Sequence, residues 1–328
     1  MNQPGASKAA PTYLVTGAMG CIGAWVLYHL TRQAKRAVSF DLSDSRHRLN
    51  LLLEPDEQAA AITFVNGDLT NPAQVLDVLQ GHGITHVIHL AALQVPFCRA
   101  NPIVGAQVNV VGTVNLFEAM RQAGLKHLMY ASSVAVYGPP APDQAGQVLH
   151  EAPLAPTTLY GVYKVANEGT ARVYWQEHAI SSTALRPYTV YGLGRDQGIT
   201  SDPTKAMLAA VAGQPYHINF NGPCQYHFAS DIALQCIAAA ERPLAGAFTF
   251  NNGGAPVSSA EVIDLIRQVA PAAQITHSPA GLPFPVGFDG AALRSAFPDL
   301  PETPLAEGIR QTMAGFDRLL AAGQIALS

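Results

Sequence analysis

The chain has 328 residues, of which 48% are hydrophobic and 13% charged, so it can form a large core in two domains or in one domain with an added lobe. Its formal net charge of −4, with basic residues in small groups and no extended basic stripe, argues against a nucleic-acid partner. The N-terminus lacks the apolar segment of a signal peptide and no run reaches membrane-spanning length, so we predict a cytoplasmic protein with no membrane contact and with residues 1–10 as a disordered lead-in.

Short β-rich runs alternate with helical patterns through the first two-thirds of the chain. This alternation, with nearly continuous apolar strands, predicts an α/β fold with a parallel sheet covered by helices on both faces. The predicted strands are 13–15, 37–40, 62–65, 86–90, 127–131 and 182–185. The predicted helices between and after them are 20–33, 72–79, 101–123 and 160–178.

Beyond residue 186 the pattern loosens. Helices are predicted near 203–212 and 231–240, and the run A-F-T-F at 247–250 is a candidate last strand. The segment S-S-A-E at 258–261 is a capping box that opens another helix. The tail from 271 is rich in Ala and Pro and predicts an irregular lobe.

A glycine-rich turn follows the first predicted strand. In L-V-T-G-A-M-G-C-I-G, residues Gly17, Gly20 and Gly23 lead into a helix, where glycine lets the backbone approach a pyrophosphate at the positive helix end. Asp41 ends the second strand, 18 residues after Gly23, where a carboxylate accepts hydrogen bonds from an adenosine ribose and repels a 2′-phosphate. The sequence therefore predicts an NAD site that disfavours NADP.

Three residues near this site leave alternatives open. Arg46 and Arg48 lie close to Asp41 in the sequence and are suited to a 2′-phosphate. Asp68, after the third strand, either meets the adenine amino group or serves as an acid at a helix N-terminus.

The run Y-G-V-Y-K pairs one of two tyrosines with a lysine. Residues four apart lie on the same face of a helix, so Tyr160 faces Lys164 while Tyr163 points elsewhere. A lysine ammonium beside a phenol favours the phenolate and lowers the pKa of the tyrosine. This pair therefore predicts an acid–base group.

Taken together, the motifs resemble the extended short-chain dehydrogenase/reductase family, the NAD-dependent epimerases and dehydratases. The matching segments, in family order, are T-G-A-M-G-C-I-G, F-D-L, G-D-L-T, H-L-A-A, N-V-V-G-T, Y-A-S-S-V-A-V-Y-G, Y-G-V-Y-K and L-R-P-Y-T-V-Y-G. The resemblance implies a Rossmann doubly wound sheet and a smaller C-terminal α/β substrate lobe. We assign 11–186, with the returning strand near 247–250, to the NAD-binding domain and 187–328 mainly to the lobe.

The resemblance also implies a Ser–Tyr–Lys site that falls on Ser133, Tyr160 and Lys164. In this reaction the tyrosine takes the proton of a secondary hydroxyl as hydride passes to NAD, the lysine holds the nicotinamide ribose, and the serine binds the substrate oxygen. The residues assigned to the cofactor are Gly17, Gly20, Cys21, Ile22, Gly23, Asp41, Asp68, Leu69, Ala91, Ala92, Asn109, Tyr160, Lys164 and Pro187.

The substrate prediction depends on departures from the family pattern. Thr189 replaces a usual asparagine, and Cys224 stands where relatives carry an arginine. Between residues 196 and 241, Lys205 is the only Lys or Arg, so a diphosphate there would lack charged partners. The lobe is instead rich in hydroxyl, amide and imidazole groups, which suit a sugar, sugar acid or hydroxy acid. The candidate substrate residues are Gln94, Ser133, Thr189, Thr200 and Ser201.

Several functions remain open at this stage. We favour an NAD-dependent dehydrogenase of a small polyhydroxylated substrate, and the segment G-I-T-S-D resembles the L-threonine dehydrogenase branch of the family. The alternative is a nucleotide-sugar epimerase of the UDP-galactose 4-epimerase type. A dehydratase is disfavoured, because Val134 and Ala135 stand where an acidic pair is usual, and a non-catalytic sensor would be expected to lose Tyr160 or Lys164.

Two further predictions concern assembly and metals. Helices 101–123 and 160–178, which the family pairs between subunits, are more apolar than one sheet-facing stripe requires, so we predict a homodimer. No metal is predicted, because the four cysteines lack metal-binding spacing and the histidines near the fourth strand lack an acidic or thiol partner.

Overall fold

Residues 10–139 and 147–325 are described by the computed structural model of this protein. The predicted lead-in, 1–10, lies outside the described residues except for its last residue. The strands are β1 Thr12–Thr16, β2 Arg36–Asp41, β3 Ile62–Asn66, β4 His86–His89, β5 His127–Ala131, β6 Ser181–Arg186, β7 Thr189–Tyr191, β8 Tyr216–Ile218, β9 Cys224–Phe228, β10 Ala247–Asn251, β11 Pro256–Val257 and β12 Ile275–His277. The α-helices are α1 Cys21–Arg32, α2 His47–Asn50, α3 Pro55–Ala61, α4 Pro72–Gly81, α5 Val95–Ala100, α6 Pro102–Ala106, α7 Gly112–Ala123, α8 Leu159–His178, α9 Asp202–Val211, α10 Ala229–Glu241, α11 Ser259–Val269, α12 Ala291–Ala296 and α13 Leu305–Ala321.

Seven strands form one parallel sheet in the order β10-β6-β5-β4-β1-β2-β3. In the central strand β1, Val15 pairs with Ser39 on one side and with Ile88 on the other. The order runs outward in both directions from β1, which is the doubly wound arrangement. All six predicted strands and the returning strand near 247–250 lie in this sheet, so the predicted Rossmann fold is confirmed.

Neighbouring residues of a strand point to opposite faces of the sheet, and here both faces carry apolar side chains. Helices therefore cover both faces. Val15 packs in one core cluster with Leu27 of α1 and Ile232 of α10. Leu14 packs in the other cluster with Phe117 of α7 and Val75 of α4. Helix α10 therefore belongs to the layers of the main sheet although it follows residue 186.

The predicted helix 101–123 is divided into three segments: α6, a π-helical turn over Gln107–Val111, and α7. At the turn, the carbonyl of Asn109 accepts hydrogen bonds from Thr113 Oγ1 at 2.8 Å and from Asn167 Nδ2 at 2.9 Å. These side-chain donors compete with the backbone amide that would bond this carbonyl in a regular α-helix. The helix is locally wider here, with π-helical hydrogen bonding.

The same stretch, 102–123, is long and apolar enough to cross a membrane by length and composition, with a mean hydropathy of 1.2. It packs against α4 and α8 in the helical layer of the sheet. Core helices pass the same test, so this stretch is weak support for a membrane span.

The C-terminal lobe contains the small sheets β11-β9-β7 and β12-β8 together with four helices. The prediction of an irregular tail from 271 is wrong in one respect, since α13 is a 17-residue helix. Its buried residues Ile309, Met313 and Phe316 recur at helical spacing, which is an amphipathic pattern. The capping box at Ser258 and Glu261 is present at the start of α11, as predicted.

Candidate active site

A cleft of about 400 Å³ opens at the carboxyl ends of the central strands, where open α/β sheets bind their ligands. Sixteen of the residues that the sequence assigns to the site line this cleft. They are Gly17, Gly20, Cys21, Ile22, Gly23, Asp41, Asp68, Leu69, Ala91, Ala92, Gln94, Ser133, Tyr160, Lys164, Pro187 and Thr200.

The glycine-rich turn is shaped for close backbone approach. Gly17 has φ +67°, and a Cβ there would lie 2.5 Å from the amide nitrogen of Ala91. A Cβ at Gly23 would lie 2.3 Å from Gly17 O, so neither position tolerates a side chain. At Gly20 a Cβ would meet only Gly17 O, at 3.1 Å, which leaves the space in front of the turn open.

Gly20 is also the N-cap of α1 and supplies no side-chain cap, and the first turn of α1 contains no acidic residue. The first amide groups of a helix lack partners within the helix and attract anions. An open cradle with free amides fits the pyrophosphate of NAD.

Asp41 lies at the end of β2 and its carboxylate faces the cleft. One oxygen accepts a hydrogen bond from Met19 N and the other from Ser43 N, both at 2.9 Å. Each carboxylate oxygen has a further lone pair, so acceptor capacity remains for ribose hydroxyls.

The two arginines near Asp41 are engaged elsewhere. Arg48 donates two hydrogen bonds to Asp196, at 2.9 and 2.7 Å, and one to Met19 O. The Arg46 guanidinium stacks over the ring of Phe64 at 3.5 Å. Neither arginine lines the cleft, which favours the ribose hydroxyl over a 2′-phosphate.

Asp68 and Asn109 act on the backbone around the cofactor region. Asp68 Oδ1 accepts a hydrogen bond from Thr70 N at 2.8 Å, in the turn that precedes α4. Asn109 is buried and does not line the cleft; its side chain bonds both Leu93 N and Leu93 O. Asn109 therefore holds the segment after β4 in place.

Local capping places the tyrosine and lysine. Thr158 Oγ1 accepts a hydrogen bond from Gly161 N and starts α8 at Leu159, so Tyr160 lies in the first turn. Lys164 Nζ is 5.5 Å from the centre of the Tyr160 ring and donates to Ala131 O at 2.6 Å. Ser133, after β5, caps a short 3-10 helix through Ala135 N at 3.2 Å.

Tyr163 points away from the cleft, as the helix spacing predicts. It is 9% exposed and its hydroxyl donates to Pro102 O at 2.9 Å. This tyrosine joins α8 to α6.

The electrostatics of the site differ from the expectation that Lys164 lowers the pKa of Tyr160. Burial raises the pKa of Tyr160 to about 12, and the groups that oppose this rise are Ser133 and Arg195. Burial also lowers the pKa of Lys164 to about 8, so its own charge is destabilised in the free protein.

A buried hydrogen-bond network lies beneath the site and was not predicted. Glu168, one turn after Lys164, forms a two-point ion pair with Arg186 of β6 at 2.8 and 2.5 Å. Ser132 also donates to Glu168, and the Tyr137 hydroxyl accepts from Arg186 at 2.6 Å. The network fixes α8 against β5 and β6, next to both Ser133 and Lys164.

Two predicted substrate residues are not brought to the cleft. Thr189 is fully buried in β7, where its hydroxyl donates to Cys224 Sγ at 3.4 Å. Ser201 is 1% exposed and donates to Gly198 O at 2.8 Å. The structure therefore gives no support to direct substrate contact by either residue.

The polar side chains expected to suit a substrate in the lobe are also mostly occupied. Gln225, for example, bonds the backbone of Gly254 and Phe288, and both Tyr216 and Asn219 bond Asp202. From that polar set only Thr200 lines the cleft.

The structure adds residues that the sequence reasoning missed. Arg195, Tyr188 and Phe284 line the cleft beside Thr200. The available signal for Arg195 was its place three residues after the V-Y-G segment, just outside the range 196–241 in which basic residues were sought. The prediction that the substrate end lacks charged partners therefore overlooked one guanidinium, that of Arg195.

Comparisons with known proteins agree with this geometry. A family model described as the NAD dependent epimerase/dehydratase family matches residues 13–251. The chain is 30% identical over 319 residues to UDP-glucose 4-epimerase of Mycolicibacterium smegmatis, a match that covers 92% of this chain and 97% of that protein. It is 34% identical over 219 residues to an uncharacterized 37.6 kDa protein of Escherichia coli O111:H-, which covers 62% of each chain and so spans less than two-thirds of that relative.

Solved structures show the same fold along most of their length. MoeE5, solved in complex with UDP-glucose and NAD, is similar with a TM-score of 0.79 and 26% identity, over 94% of this chain and 99% of that one. A GalE-like L-threonine dehydrogenase from Cupriavidus necator gives a TM-score of 0.82 and 25% identity, over 93% of this chain and 99% of that one.

Proposed function

This chain belongs to the NAD-dependent epimerase/dehydratase family and its cofactor is NAD, and from that premise we propose that it is a dehydrogenase of a small polyhydroxylated substrate. It would move hydride between a secondary alcohol and NAD through Ser133, Tyr160 and Lys164. The observation that carries the proposal is the presence of these three side chains in the same cleft as the glycine-rich turn and Asp41.

Each of the three side chains has a separate role in the proposed oxidation. The Tyr160 phenolate takes the proton from the substrate hydroxyl, and in the reverse direction the phenol returns it. The Ser133 hydroxyl donates a hydrogen bond to the same oxygen as it becomes a carbonyl. NAD, when bound, supplies the hydride acceptor.

Lys164 lies beside Tyr160 and is also assigned to the cofactor. Its ammonium, held by the Ala131 carbonyl, lies in the cleft 5.5 Å from the centre of the Tyr160 ring, where it would hold the nicotinamide ribose. A hydrogen-bond acceptor of the bound cofactor at this position would stabilise the charged form of Lys164. It would therefore raise the pKa of Lys164, which burial lowers.

Support for a small substrate comes from the charge of the lining. Among the described residues, Lys164 and Arg195 are the only Lys or Arg side chains that line the cleft, and Lys164 is already assigned to the cofactor. A nucleotide-sugar diphosphate carries two negative charges and is usually held by several charge-assisted bonds. One guanidinium suits a substrate with a single charge better.

The alternative is a nucleotide-sugar 4-epimerase, which the relative from Mycolicibacterium smegmatis favours because the match covers 97% of its length. An epimerase returns the hydride to its substrate within one turnover, whereas a dehydrogenase releases reduced cofactor. A dehydratase has less support, because Val134 and Ala135, at the positions after Ser133, are buried and cannot ionise.

The two reactions are separated by one experiment. The purified protein is incubated with NAD and, separately, with sugars, sugar acids, hydroxy acids, L-threonine and UDP-sugars, and NADH absorbance is followed while the substrates are analysed by chromatography. We expect NADH to accumulate with a small substrate. Interconversion of UDP-sugars without accumulation of NADH would establish the epimerase instead, and Tyr160→Phe serves as the inactive control for both.

A further inference from the structure

Arg195 is a cation in the cleft that has no acidic partner among residues 10–139 and 147–325. The neighbouring carboxylate of Asp196 is used by Arg48 and by His47, at 2.7 and 3.1 Å. The only hydrogen bond that the Arg195 guanidinium makes within the described chain runs from Nη2 to Thr200 Oγ1, at 3.1 Å.

Two buried polar atoms of the cleft lack hydrogen-bond partners within the described part of the chain. They are Nε of Arg195 and the hydroxyl of Tyr188. A buried polar group without a partner is costly, and a charged one more so. Both side chains line the cleft, but these two atoms are themselves enclosed, so a ligand would meet the terminal nitrogens of the guanidinium rather than Nε.

The loop after β7 leaves room for this guanidinium. Gly198 has φ +97°, and a Cβ there would lie 2.2 Å from Gln94 Oε1 and 3.2 Å from Arg195 Nη2. The carbonyl of Gly198 is held by both the backbone amide and the hydroxyl of Ser201. Gln94 and Arg195 therefore both lie against Gly198. Any larger residue at position 198 would displace them.

The charge on Arg195 is close to the reacting groups. Burial lowers the pKa of Arg195, and Cys21 of the glycine-rich turn and the Tyr160 phenol act in the opposite direction. A guanidinium remains charged in proteins, so an anion that enters this part of the cleft gains a positively charged partner that is already partly buried.

We propose that Arg195 binds a carboxylate of the substrate, and that the substrate is therefore a sugar acid or hydroxy acid rather than a neutral polyol. The planar guanidinium matches a carboxylate at two points, which a neutral hydroxyl group does not. This inference rests on the proposed function only for the position of the reacting hydroxyl at Tyr160.

The test is binding of matched acid and neutral ligands to the NAD-loaded protein, measured by calorimetry. Galacturonate is compared with galactose, and gluconate with glucitol, since each pair differs mainly by a carboxylate. We expect at least one acid to bind roughly tenfold to a hundredfold tighter than its neutral partner. Arg195→Gln should remove that difference, with neutral-ligand and NAD affinities unchanged, while Arg195→Lys should retain part of it.

Lys205→Gln is the matched control, because Lys205 is a nearby basic residue that does not line the cleft. Equal binding of acids and neutral ligands would overturn the proposal. So would a loss of NAD affinity in Arg195→Gln, which would assign the guanidinium to the cofactor pyrophosphate, or a selective loss of UDP-glucose binding, which would assign it to a diphosphate.

Binding and turnover separate this inference from the proposed reaction. Acid binding that depends on Arg195, without NADH formation from any acid, would refute the dehydrogenase and keep the carboxylate site. Turnover of neutral polyols alone would support the dehydrogenase and refute the carboxylate site at Arg195.

Discussion

At Tyr160, burial and charge act in opposite directions on one hydroxyl. Burial raises the pKa of Tyr160 to about 12, which disfavours the phenolate that the reaction needs, while Ser133 and Arg195 lower it. Lys164 has a pKa of about 8, so in the free protein its charge is lost on the alkaline side where Tyr160 ionises. Arg195 remains charged there and is the more effective neighbour.

This difference predicts a shift in the pH dependence of substrate oxidation. Removing the positive charge in Arg195→Gln raises the pKa of Tyr160, so the phenolate fraction at any fixed pH falls and the alkaline rise in kcat/KM moves to higher pH. The measurement is kcat/KM from pH 6 to 11, which reports the protein before substrate binds, with Lys205→Gln as the control. An unchanged profile would show that Arg195 does not act on Tyr160.

The two tyrosines of α8 give a direct comparison. Tyr160→Phe removes the acid–base oxygen and keeps the ring, so turnover should fall by roughly 10²–10⁴ while NAD affinity barely changes. Tyr163→Phe loses the hydrogen bond to Pro102 O, which should cost about 1 kcal/mol of stability and change turnover by less than about tenfold. Steady-state kinetics and thermal unfolding measure both effects, and the opposite ranking of the two variants would refute the assignment.

Asp41 should set the cofactor preference. Its carboxylate faces the cleft while Arg46 and Arg48 are engaged by Phe64 and Asp196, so we expect NAD to bind at least about tenfold tighter than NADP, or about 1.4 kcal/mol. Fluorescence titration with both cofactors measures the ratio, and Asp41→Ala should reduce it. Equal affinities in the unmodified protein would contradict the ribose assignment.

At the scale of the elements, two helical glycines differ in the space around them, so alanine substitutions there should change stability in opposite directions. In α13, a Cβ at Gly308 would lie 2.0 Å from the hydroxyl of Tyr191, which is 1% exposed and packs against Phe228. In α8, the nearest atom to a Cβ at Gly169 is Arg172 Nη2 at 3.7 Å, an ordinary contact. Close packing therefore requires the first glycine and not the second.

We expect Gly308→Ala to destabilise the protein by about 1–3 kcal/mol, the usual cost of overpacking a core. Gly169→Ala should stabilise it by about 0.5–1 kcal/mol, since alanine loses less conformational entropy in a helix. Chemical denaturation of the two variants checks the signs. Stabilisation by Gly308→Ala would show that α13 is not packed tightly on β7.

At the scale of the whole molecule, an apolar surface lies on the layer formed by 102–123 and α8. Ile103 is 72% exposed, and Val111, Val162 and Val173 are each nearly half exposed, whereas Leu116 from the same predicted apolar set is in the core. Several exposed apolar side chains on neighbouring helices are typical of an interaction site. The surface is consistent with the predicted homodimer, which stays a prediction.

Assembly is tested by light scattering, in which a monomer has a mass of 34.6 kDa. We expect twice that mass at micromolar concentration and a return to the monomer in Val111→Glu/Val162→Glu, because a buried unpaired carboxylate is costly. Val269→Glu, at an exposed position on α11, is the control. A monomeric unmodified protein would contradict the prediction.

Some features of this protein follow from local sequence alone. The strand–helix alternation, the glycine-rich turn around Gly17, Asp41 at a strand end and the Tyr160–Lys164 spacing depend on chemistry within a few residues. The alternation for this reason predicted the parallel sheet covered on both faces, and the family resemblance carried by these motifs added the doubly wound order and much of the cleft lining.

Other features depend on which distant segments meet, and only the tertiary structure decided them. Arg195 lies 35 residues after Tyr160 and far from Cys21 along the chain, so the sequence showed that it follows a family motif but not that its charge lies in the cleft. Thr189 is polar and near a family motif, yet the pairing of β7 with β9 buries it against Cys224. Sequence patterns show which residues can bind or react, but the burial and charge that determine their pKa and their access to a ligand arise from long-range packing.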